Sequence, residues 1–376
     1  MKHTLLISLA LASSAAAQDR PPRTTFPDCV DGLLASNTVC DQNASPGERA
    51  SALVAELTIE EKLANLMRYA PFPCPPRRRD IRFTNNYTSK AHGAERIGLP
   101  AYNWWSEALH GVGFAPGVRY ADTAPFNAST VYPMPVLMAA AFDDELIEKI
   151  GAAIGVEARA WGNYGYAGID YWTPNVNTFK DPRWGRGSET PGEDVLRAKR
   201  YAASIVRGLE GDKEERRVVA TCKHYAGNDF EDWNGSTRHD FNAEINPQDM
   251  AEYYLAPFQT CARDAKAGSI MCAYNAVNGV PACANEYLLQ TVLREHWGWT
   301  ESNNYVTSDC EAVLDVSANH KYVETNAEGT AICFEAGMDS SCEYEGSSDI
   351  PGAWDQGLLE VETVDRALGR LYEGLV

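Results

Sequence analysis

One acidic residue stands where a carboxylate could act directly on a substrate. Asp309 follows the β-branched run 304–308 (NYVTS). A carboxylate held rigidly at the end of a strand suits a nucleophile or a general base. An aspartate at this position is also typical of a cap on the following helix. The residue types alone leave both interpretations open.

Basic side chains near other predicted strand ends could hold a polyhydroxylated ligand. Lys223 and His224 end the run 217–224. Adjacent residues of a regular strand point to opposite faces, so both reach one site only where the strand curls into a loop. A salt bridge beside a buried histidine is the alternative. Arg186 lies in segment 181–194 (DPRWGRGSETPGED), and its guanidinium could pair with a carboxylate or donate to a diol.

An acidic residue beside two tryptophans suggests a sugar site. Trp104 and Trp105 precede Glu107 in the segment YNWWSEALHG. Aromatic faces stack on the C–H groups of a pyranose, and a carboxylate accepts hydrogen bonds from its hydroxyls. Tryptophans that simply fill a core are equally common, so this motif alone does not decide.

The elements that must position these residues alternate along the chain. Apolar runs predict strands over 135–142, 168–177, 217–224, 269–275 and 304–308. Helices are predicted over 48–67 (with a break near Thr58), 143–161, 194–209, 247–267, 285–297 and 326–336. This α/β alternation predicts a parallel sheet with helical crossovers, and the number of units favours a (β/α)8 barrel of the TIM type. The polar residues at the strand ends would then share the rim where barrels assemble active sites.

The N-terminal sequence and the cysteines predict a secreted protein. Residues 1–17 (MKHTLLISLALASSAAA) have the layout of a signal peptide, and 18–46 form an irregular arm before the catalytic barrel of 47–376. All ten cysteines follow the signal, and the short loops make pairs 29–40, 272–283 and 333–342 plausible. Zinc binding is the weaker interpretation because no CxxC motif exists. N-x-S/T sequons begin at Asn43, Asn86, Asn127 and Asn234.

The charge balance excludes several classes of partner. The chain of 376 residues has 33 Lys and Arg against 52 Asp and Glu, a net charge of −19. Nucleic-acid binding needs a basic surface to displace counterions, so we expect no nucleic-acid partner. Anionic membrane surfaces are disfavoured for the same reason.

Five ordered motifs together resemble glycoside hydrolase family 3, most closely its secreted fungal β-xylosidases. They are WWSEALHG, KDPRWGRGSETPGED, TCKHYAGNDFEDWNGSTRHDF, IMCAYNAVNG and NYVTSDCEAV. The resemblance implies a barrel domain and a retaining exo-enzyme that releases terminal β-D-xylose from xylo-oligosaccharides without a metal or organic cofactor. A β-glucosidase, an α-L-arabinofuranosidase or a non-catalytic sugar-binding protein are the alternatives.

The resemblance also implies roles for single residues. Asp309 matches the nucleophile, and Tyr274 matches the tyrosine that bonds it. The positions that hold the sugar match Glu107, Arg186, Lys223 and His224, and less closely Tyr171 and Arg238. Many β-glucosidases of the family have tryptophan where this chain has Cys310, and aspartate where it has Glu107. The longer Glu107 would occupy the space that a glucose hydroxymethyl group requires.

The general acid/base is the part of the mechanism that these motifs do not supply. Family members of this type carry it as a glutamate of a second α/β sandwich domain, which we expect to lie outside these 376 residues. Single-domain members use an Asp/His pair after the Lys-His motif, where this sequence has Asn234 and Ser236. Retaining hydrolysis needs two carboxyl groups about 5–5.5 Å apart. The sequence identifies only Asp309.

Overall fold

A computed structural model describes residues 26–66, 90–211, 216–343 and 348–375. The predicted signal peptide 1–17 and Asn86 lie outside these ranges. From residue 26 the chain forms turns and one 3-10 turn, Thr38–Cys40, before the first helix begins at Pro46. No helix within the described ranges is long and apolar enough to span a bilayer.

The described elements alternate between strands and helices over most of the chain. The α-helices are α1 (Pro46–Glu56), α2 (Ile59–Leu66), α3 (Pro135–Ala139), α4 (Asp144–Asn163), α5 (Val195–Glu210), α6 (Pro247–Asp249), α7 (Ala256–Gln259), α8 (Ala312–Ala318), α9 (Asn326–Glu335), α10 (Ile350–Asp355) and α11 (Val361–Glu373). Segments of π-helix cover Met250–Tyr254, Thr260–Asp264 and Tyr287–His296, and further 3-10 turns cover Glu95–Ile97, Gly187–Glu189 and Ala282–Ala284. The strands are β1 (Lys90–Ala91), β2 (Tyr102–Asn103), β3 (Asp170–Tyr171), β4 (Val219–Tyr225), β5 (Asp232–Trp233), β6 (Ser236–Thr237), β7 (Asn242–Ala243), β8 (Ser269–Cys272), β9 (Ala276–Val277), β10 (Val280–Pro281), β11 (Tyr305–Cys310) and β12 (Ser340–Cys342).

The central sheet is parallel and curled. Its strands run in the order β12-β11-β8-β4-β3, and every neighbouring pair is parallel. A parallel bridge from Ser106 to Tyr171 extends the sheet beyond β3. The Tyr305 hydroxyl on β11 donates to Asp170 on β3, although two strands separate them in the sheet. A side-chain contact over that distance requires a concave sheet, which confirms the predicted α/β barrel.

Helix boundaries follow local capping chemistry, and here the predictions were mostly right. The predicted break near Thr58 separates α1 from α2, because the Thr58 hydroxyl accepts from the Glu61 amide at 3.3 Å. Asp143 and Asp194 cap α4 and α5. The predicted strand over 135–142 is wrong. Pro135 occupies the first turn of a short helix, where its missing N–H costs nothing, and good helix formers follow it.

Four disulfides cross-link the described residues. The predicted pairs Cys29–Cys40 and Cys272–Cys283 are confirmed. The predicted pair 333–342 is wrong, because Cys342 bonds to Cys310, its register partner on the neighbouring strand β11. The buried Cys333 forms no disulfide with another described cysteine. The fourth bond, Cys222–Cys261, joins β4 to a π-helical segment on the outside of the sheet.

Removal of the Cys222–Cys261 bond should destabilise the barrel. The bond closes a loop of 39 residues, so replacing both cysteines with alanine should lower the free energy of unfolding by roughly 3–4 kcal/mol. Urea denaturation measures the loss. Cys333→Ala is the control, because it removes a buried sulfur without removing a cross-link. Equal losses in the two proteins would mean that lost packing, rather than the cross-link, accounts for the effect.

Candidate active site

Asp309 lies near the carboxyl end of β11, where the sheet opens into its loops. The residue is 8% exposed, and its Oδ1 accepts a hydrogen bond from the Cys310 amide at 2.9 Å. The Oδ2 oxygen is buried and accepts no hydrogen bond within the described residues. A carboxylate oxygen that is fixed in place but left without a donor is available to attack an electrophilic carbon.

Lys223 and His224 both reach this site, although they are neighbours on β4. The register between β4 and β8 shifts between Cys222 and Tyr225, so the strand is irregular at Lys223 and His224. The irregular backbone brings the two side chains to the same side. Lys223 Nζ pairs with both carboxylate oxygens of Glu107, at 3.0 and 3.1 Å. His224 Nε2 lies 3.5 Å from Asp309 Oδ2.

His224 is a neutral acceptor in this arrangement. Burial and the nearby charges of Arg186, Lys223 and Arg238 hold its pKa well below 6.5. Arg186 Nη2 approaches His224 Nε2 at 3.1 Å, and Asn177 Oδ1 lies 3.1 Å from Nδ1. Arg186 can only donate, so the hydrogen-bond network assigns the proton to Nδ1. Nε2 therefore accepts a hydrogen bond from Arg186, and the imidazole holds the guanidinium beside Asp309.

A carboxylate that the sequence analysis did not select holds Arg186. Glu189 accepts from Arg186 Nε at 2.9 Å and from Nη2 at 3.0 Å, a bidentate pair. Although burial disfavours the charged form of Glu189, the hydrogen bonds and charge of Arg186 lower its pKa. Asn175 Nδ2 also points to Glu189, at 3.4 Å. The signal was present in the segment 181–194, but its many charges did not show which acid faces the site.

Glu107 lies on the opposite side of Lys223 from the nucleophile strand. Besides the lysine, it accepts a hydrogen bond from Trp105 Nε1 at 3.1 Å. Burial raises the pKa of Glu107, while the Lys223 ammonium counteracts that rise. The Trp105 ring stacks on Trp172 with centroids 5.1 Å apart and planes 14° apart. One wall of the site is therefore formed by the Glu107 carboxylate, the Lys223 ammonium group and the stacked rings of Trp105 and Trp172.

Tyr274 and Arg238 form another wall. Burial and the Asp309 carboxylate raise the pKa of Tyr274 well above 10, so its hydroxyl stays protonated. The Arg238 guanidinium lies 4.5 Å above the Tyr274 ring and pairs with Glu231 at 2.8 Å. The carbonyl of Tyr274 is bound by His320 Nε2 at 2.7 Å. Both the ring and the backbone of Tyr274 are thus held.

Tyr171 is not brought to this site. Its hydroxyl donates to the Ala158 carbonyl of α4 at 3.3 Å, and its ring belongs to the core between sheet and helix. Side chains alternate along a strand, so the neighbours Asp170 and Trp172 face the inside of the barrel instead. Trp172 packs there with Met271 beside the Cys310–Cys342 disulfide. Tyr171, which the family resemblance matched to the pocket only loosely, therefore packs away from Asp309 in this structure.

A histidine–aspartate pair also packs against Tyr274 and was missed. His239 Nδ1 lies 2.7 Å from Asp315 Oδ2, and the imidazole centroid lies 4.5 Å from the Tyr274 ring. The hydrogen bond to Asp315, followed by its charge, raises the pKa of His239 above 6.5. Asp315 lies on α8, 76 residues further along the chain, so no local pattern could reveal the pair.

The raised pKa of His239 predicts a pH-dependent contribution to stability. A base whose pKa rises on folding stabilises the folded state fully below about pH 6.5. That contribution disappears as the pH rises through the folded-state pKa. His239→Gln should therefore lower Tm by about 1–2 °C at pH 5.5 and by less at pH 8.5, since the pair is partly exposed to water. Thermal unfolding measures both values, and Asp315→Asn should show the same trend. A Tm difference between wild type and variant that is the same at pH 5.5 and pH 8.5 would contradict this prediction.

Comparison with known sequences identifies the family. The profile of the glycosyl hydrolase family 3 N-terminal domain matches residues 80–373. A probable exo-1,4-beta-xylosidase of Aspergillus terreus is 49% identical over 94% of this chain and 44% of its own length. The exo-1,4-beta-xylosidase of Emericella nidulans has the same identity and the same two coverages. The chain spans less than half the length of these curated relatives.

Solved structures agree with the sequence comparison. A GH3 exo-beta-xylosidase, XlnD, in complex with a xylobiose aziridine activity-based probe, superposes with a TM-score of 0.83 at 37% identity. This match covers 95% of the present chain and 44% of that protein. A β-glucosidase of Erythrobacter marinus has a TM-score of 0.70 at 26% identity, over 90% of this chain and 46% of its own. The chain therefore belongs to glycosyl hydrolase family 3, and residues 80–373 match its N-terminal domain.

Proposed function

We propose that the protein is, or forms part of, an exo-acting retaining β-xylosidase that removes terminal β-D-xylose from xylo-oligosaccharides. The observation that carries the proposal is the Asp309 carboxylate, whose unengaged Oδ2 lies 3.5 Å from the buried His224, with Arg186 and Tyr274 close enough to interact with its charge. Fungal exo-1,4-beta-xylosidases match nearly the whole chain. The site residues supply the groups that such a reaction needs on the sugar side of the scissile bond.

The first step would use Asp309 as the nucleophile. Its Oδ2 attacks the anomeric carbon of the terminal xylose and forms an ester bond, while the bond to the leaving-group oxygen breaks. The protonated Tyr274 hydroxyl, which interacts with the Asp309 charge, would be the donor that holds this carboxylate in position. Lys223 and Glu107 lie where they can bind the vicinal hydroxyls of the same sugar, and each also pairs with the other.

Departure of the leaving group and attack by water both need a proton-transfer group. Three described carboxylates close to the site form salt bridges: Glu107 with Lys223, Glu189 with Arg186, and Glu231 with Arg238. We therefore propose that the described residues provide the nucleophile and the sugar pocket. The general acid/base would come from another part of the protein, as the family resemblance predicts.

We further propose that the protein is secreted and glycosylated. Four disulfides are typical of an oxidising compartment. The sequons at Asn43, Asn127 and Asn234 lie on exposed residues, so they are accessible to glycosylation. The N-terminal segment 1–17 has the pattern of a cleaved signal.

Substrate preference tests the proposed function. Wild-type protein should show a higher kcat/KM on 4-nitrophenyl β-xyloside than on the β-glucoside or the α-arabinofuranoside. Glu107→Asp should narrow the xyloside-to-glucoside ratio by about tenfold, because a shorter side chain opens space for the hydroxymethyl group. Glu231→Asp, a matched change beside the pocket, should leave the ratio unchanged. A higher value on the glucoside would support a β-glucosidase instead.

A further inference from the structure

We propose that Trp233 is the platform on which the leaving-group sugar stacks, directly outside the pocket that holds the terminal xylose. The inference rests on the proposed function and adds a second sugar-binding position to it. The occupant is the second xylose residue of a xylo-oligosaccharide.

Trp233 is the tryptophan that is most exposed to solvent. All nine tryptophans lie in described segments, and only Trp233 falls among the exposed residues, at 58%. An exposed indole loses the stabilisation that burial of its large apolar surface would give. A flat apolar ring left in solvent beside a sugar pocket is suited to the C–H face of a pyranose.

The ring is carried by a hairpin with a defined conformation. Strands β5 and β6 pair Trp233 with Ser236 across a two-residue turn. The turn residues Asn234 and Gly235 both have positive φ, at 55° and 85°, which matches the twist of a tight hairpin. Asp240 Oδ1 accepts from the Ser236 hydroxyl at 3.0 Å and from the Thr237 amide at 2.6 Å. The platform is therefore held before any ligand binds.

Both loops that meet at Trp233 also supply residues to the pocket. The base of the hairpin is closed by the Arg238 amide, which donates to the Glu231 carbonyl at 2.9 Å, and Arg238 covers the Tyr274 ring. From the other loop, the Arg183 guanidinium lies 4.9 Å from the Trp233 centroid. Arg183 precedes Arg186 by three residues. Trp233 thus bridges the two segments that place Arg186 and Arg238.

Exposure increases from the pocket toward Trp233, which gives the direction in which a longer substrate leaves. His224 and Asp309 are 1% and 8% exposed, the Arg238 side chain is 26% exposed, and Trp233 is 58% exposed. A pocket with such buried walls encloses one sugar, so the next sugar must lie over the rim. Arg183 stays available at that rim as a donor to its hydroxyls, although Asp181 also binds it at 2.9 Å.

Binding measurements with one and two sugars test the proposal. Calorimetry would compare xylose with xylobiose in an Asp309→Asn background, which prevents turnover. Adding Trp233→Ala should raise the Kd of xylobiose about tenfold and change that of xylose less than twofold. Trp233→Phe should restore most of the xylobiose affinity. Tyr287→Ala is the matched control, because Tyr287 is also 58% exposed but begins the π-helical segment Tyr287–His296 and does not lie on the hairpin.

The outcomes of these measurements distinguish failure of the Trp233 platform from failure of the proposed function. An unchanged Kd for xylobiose in Trp233→Ala would overturn the platform, and so would an equal loss for both sugars. Failure of xylose and xylobiose to bind the background protein with Trp233 intact would contradict the proposed function itself, and the platform with it. A selective loss for xylobiose, with no effect of Tyr287→Ala, would support the platform.

Discussion

Asp309→Asn should abolish covalent labelling of the protein by a 2-fluoro-xyloside with a dinitrophenyl leaving group. The asparagine keeps the size of the side chain and removes the charge of the attacking oxygen, so the rate of labelling should fall by roughly 10⁴-fold or more. The fold should survive, because Asp309 forms no buried ion pair with a charged partner: the nearby His224 is neutral. Mass spectrometry of the intact protein measures the label, and peptide mapping locates it.

Two further results distinguish Asp309 from other candidate nucleophiles. Glu231→Gln changes an acid of the pocket rim and should leave the labelling site unchanged. The label in wild-type protein should map to the peptide that contains Asp309. A label on Glu107 or Asp194 would show that the nucleophile is another residue.

The 376-residue chain tested alone should hydrolyse activated xylosides far better than xylobiose. A dinitrophenolate leaves without a proton, whereas a sugar alkoxide needs general acid assistance worth roughly 10²–10⁴-fold. Glu107, Glu189 and Glu231 are each held in a salt bridge, so we expect none of these three acids to give that assistance. Steady-state kinetics on the two substrates measures the ratio.

Added azide separates formation of the xylosyl-enzyme from its hydrolysis. Attack by water also needs a general base, which we expect none of the paired carboxylates near Asp309 to supply. The xylosyl-enzyme should therefore accumulate, and added azide should release it as xylosyl azide. Full activity on xylobiose without azide rescue would place the acid/base within the chain. Glu311 would then be the first acid to change, because burial raises its pKa and it lies two residues after Asp309. Glu231 and Glu193 would follow.

Local signals explain why most of the fold could be predicted. The helices α4 and α5 begin at aspartates whose side chains cap them, and β4 and β11 each begin with an apolar, β-branched-rich segment and are buried throughout. The segment 135–142 failed because a short apolar run has no period that separates a strand from a buried helical turn. There the proline at the first helical position was the better guide.

Site residues could be predicted where a sequence motif points to a single residue. They could not be predicted where only the folded geometry shows which of two neighbouring residues faces the site. Both faces of β3 are buried, so its sequence carries no polar alternation, and Tyr171 could not be told from Trp172. The choice between Cys333 and Cys310 as partner of Cys342 depends on strand register. The pair of His239 with Asp315 depends on how two distant segments meet. Such facts exist only once the chain is folded.

The ion pairs of the pocket determine which kind of inhibitor it should favour. Arg186, Lys223 and Arg238 are each matched by a carboxylate, and His224 is neutral. Asp309 therefore keeps a negative charge that no salt bridge among the described residues neutralises, and in the proposed reaction this charge faces the anomeric carbon. A sugar ring gains positive character as its glycosidic bond breaks, and this excess charge stabilises it at that moment. Protonated iminosugars share that charge, whereas uronic acids carry the opposite one and should be rejected.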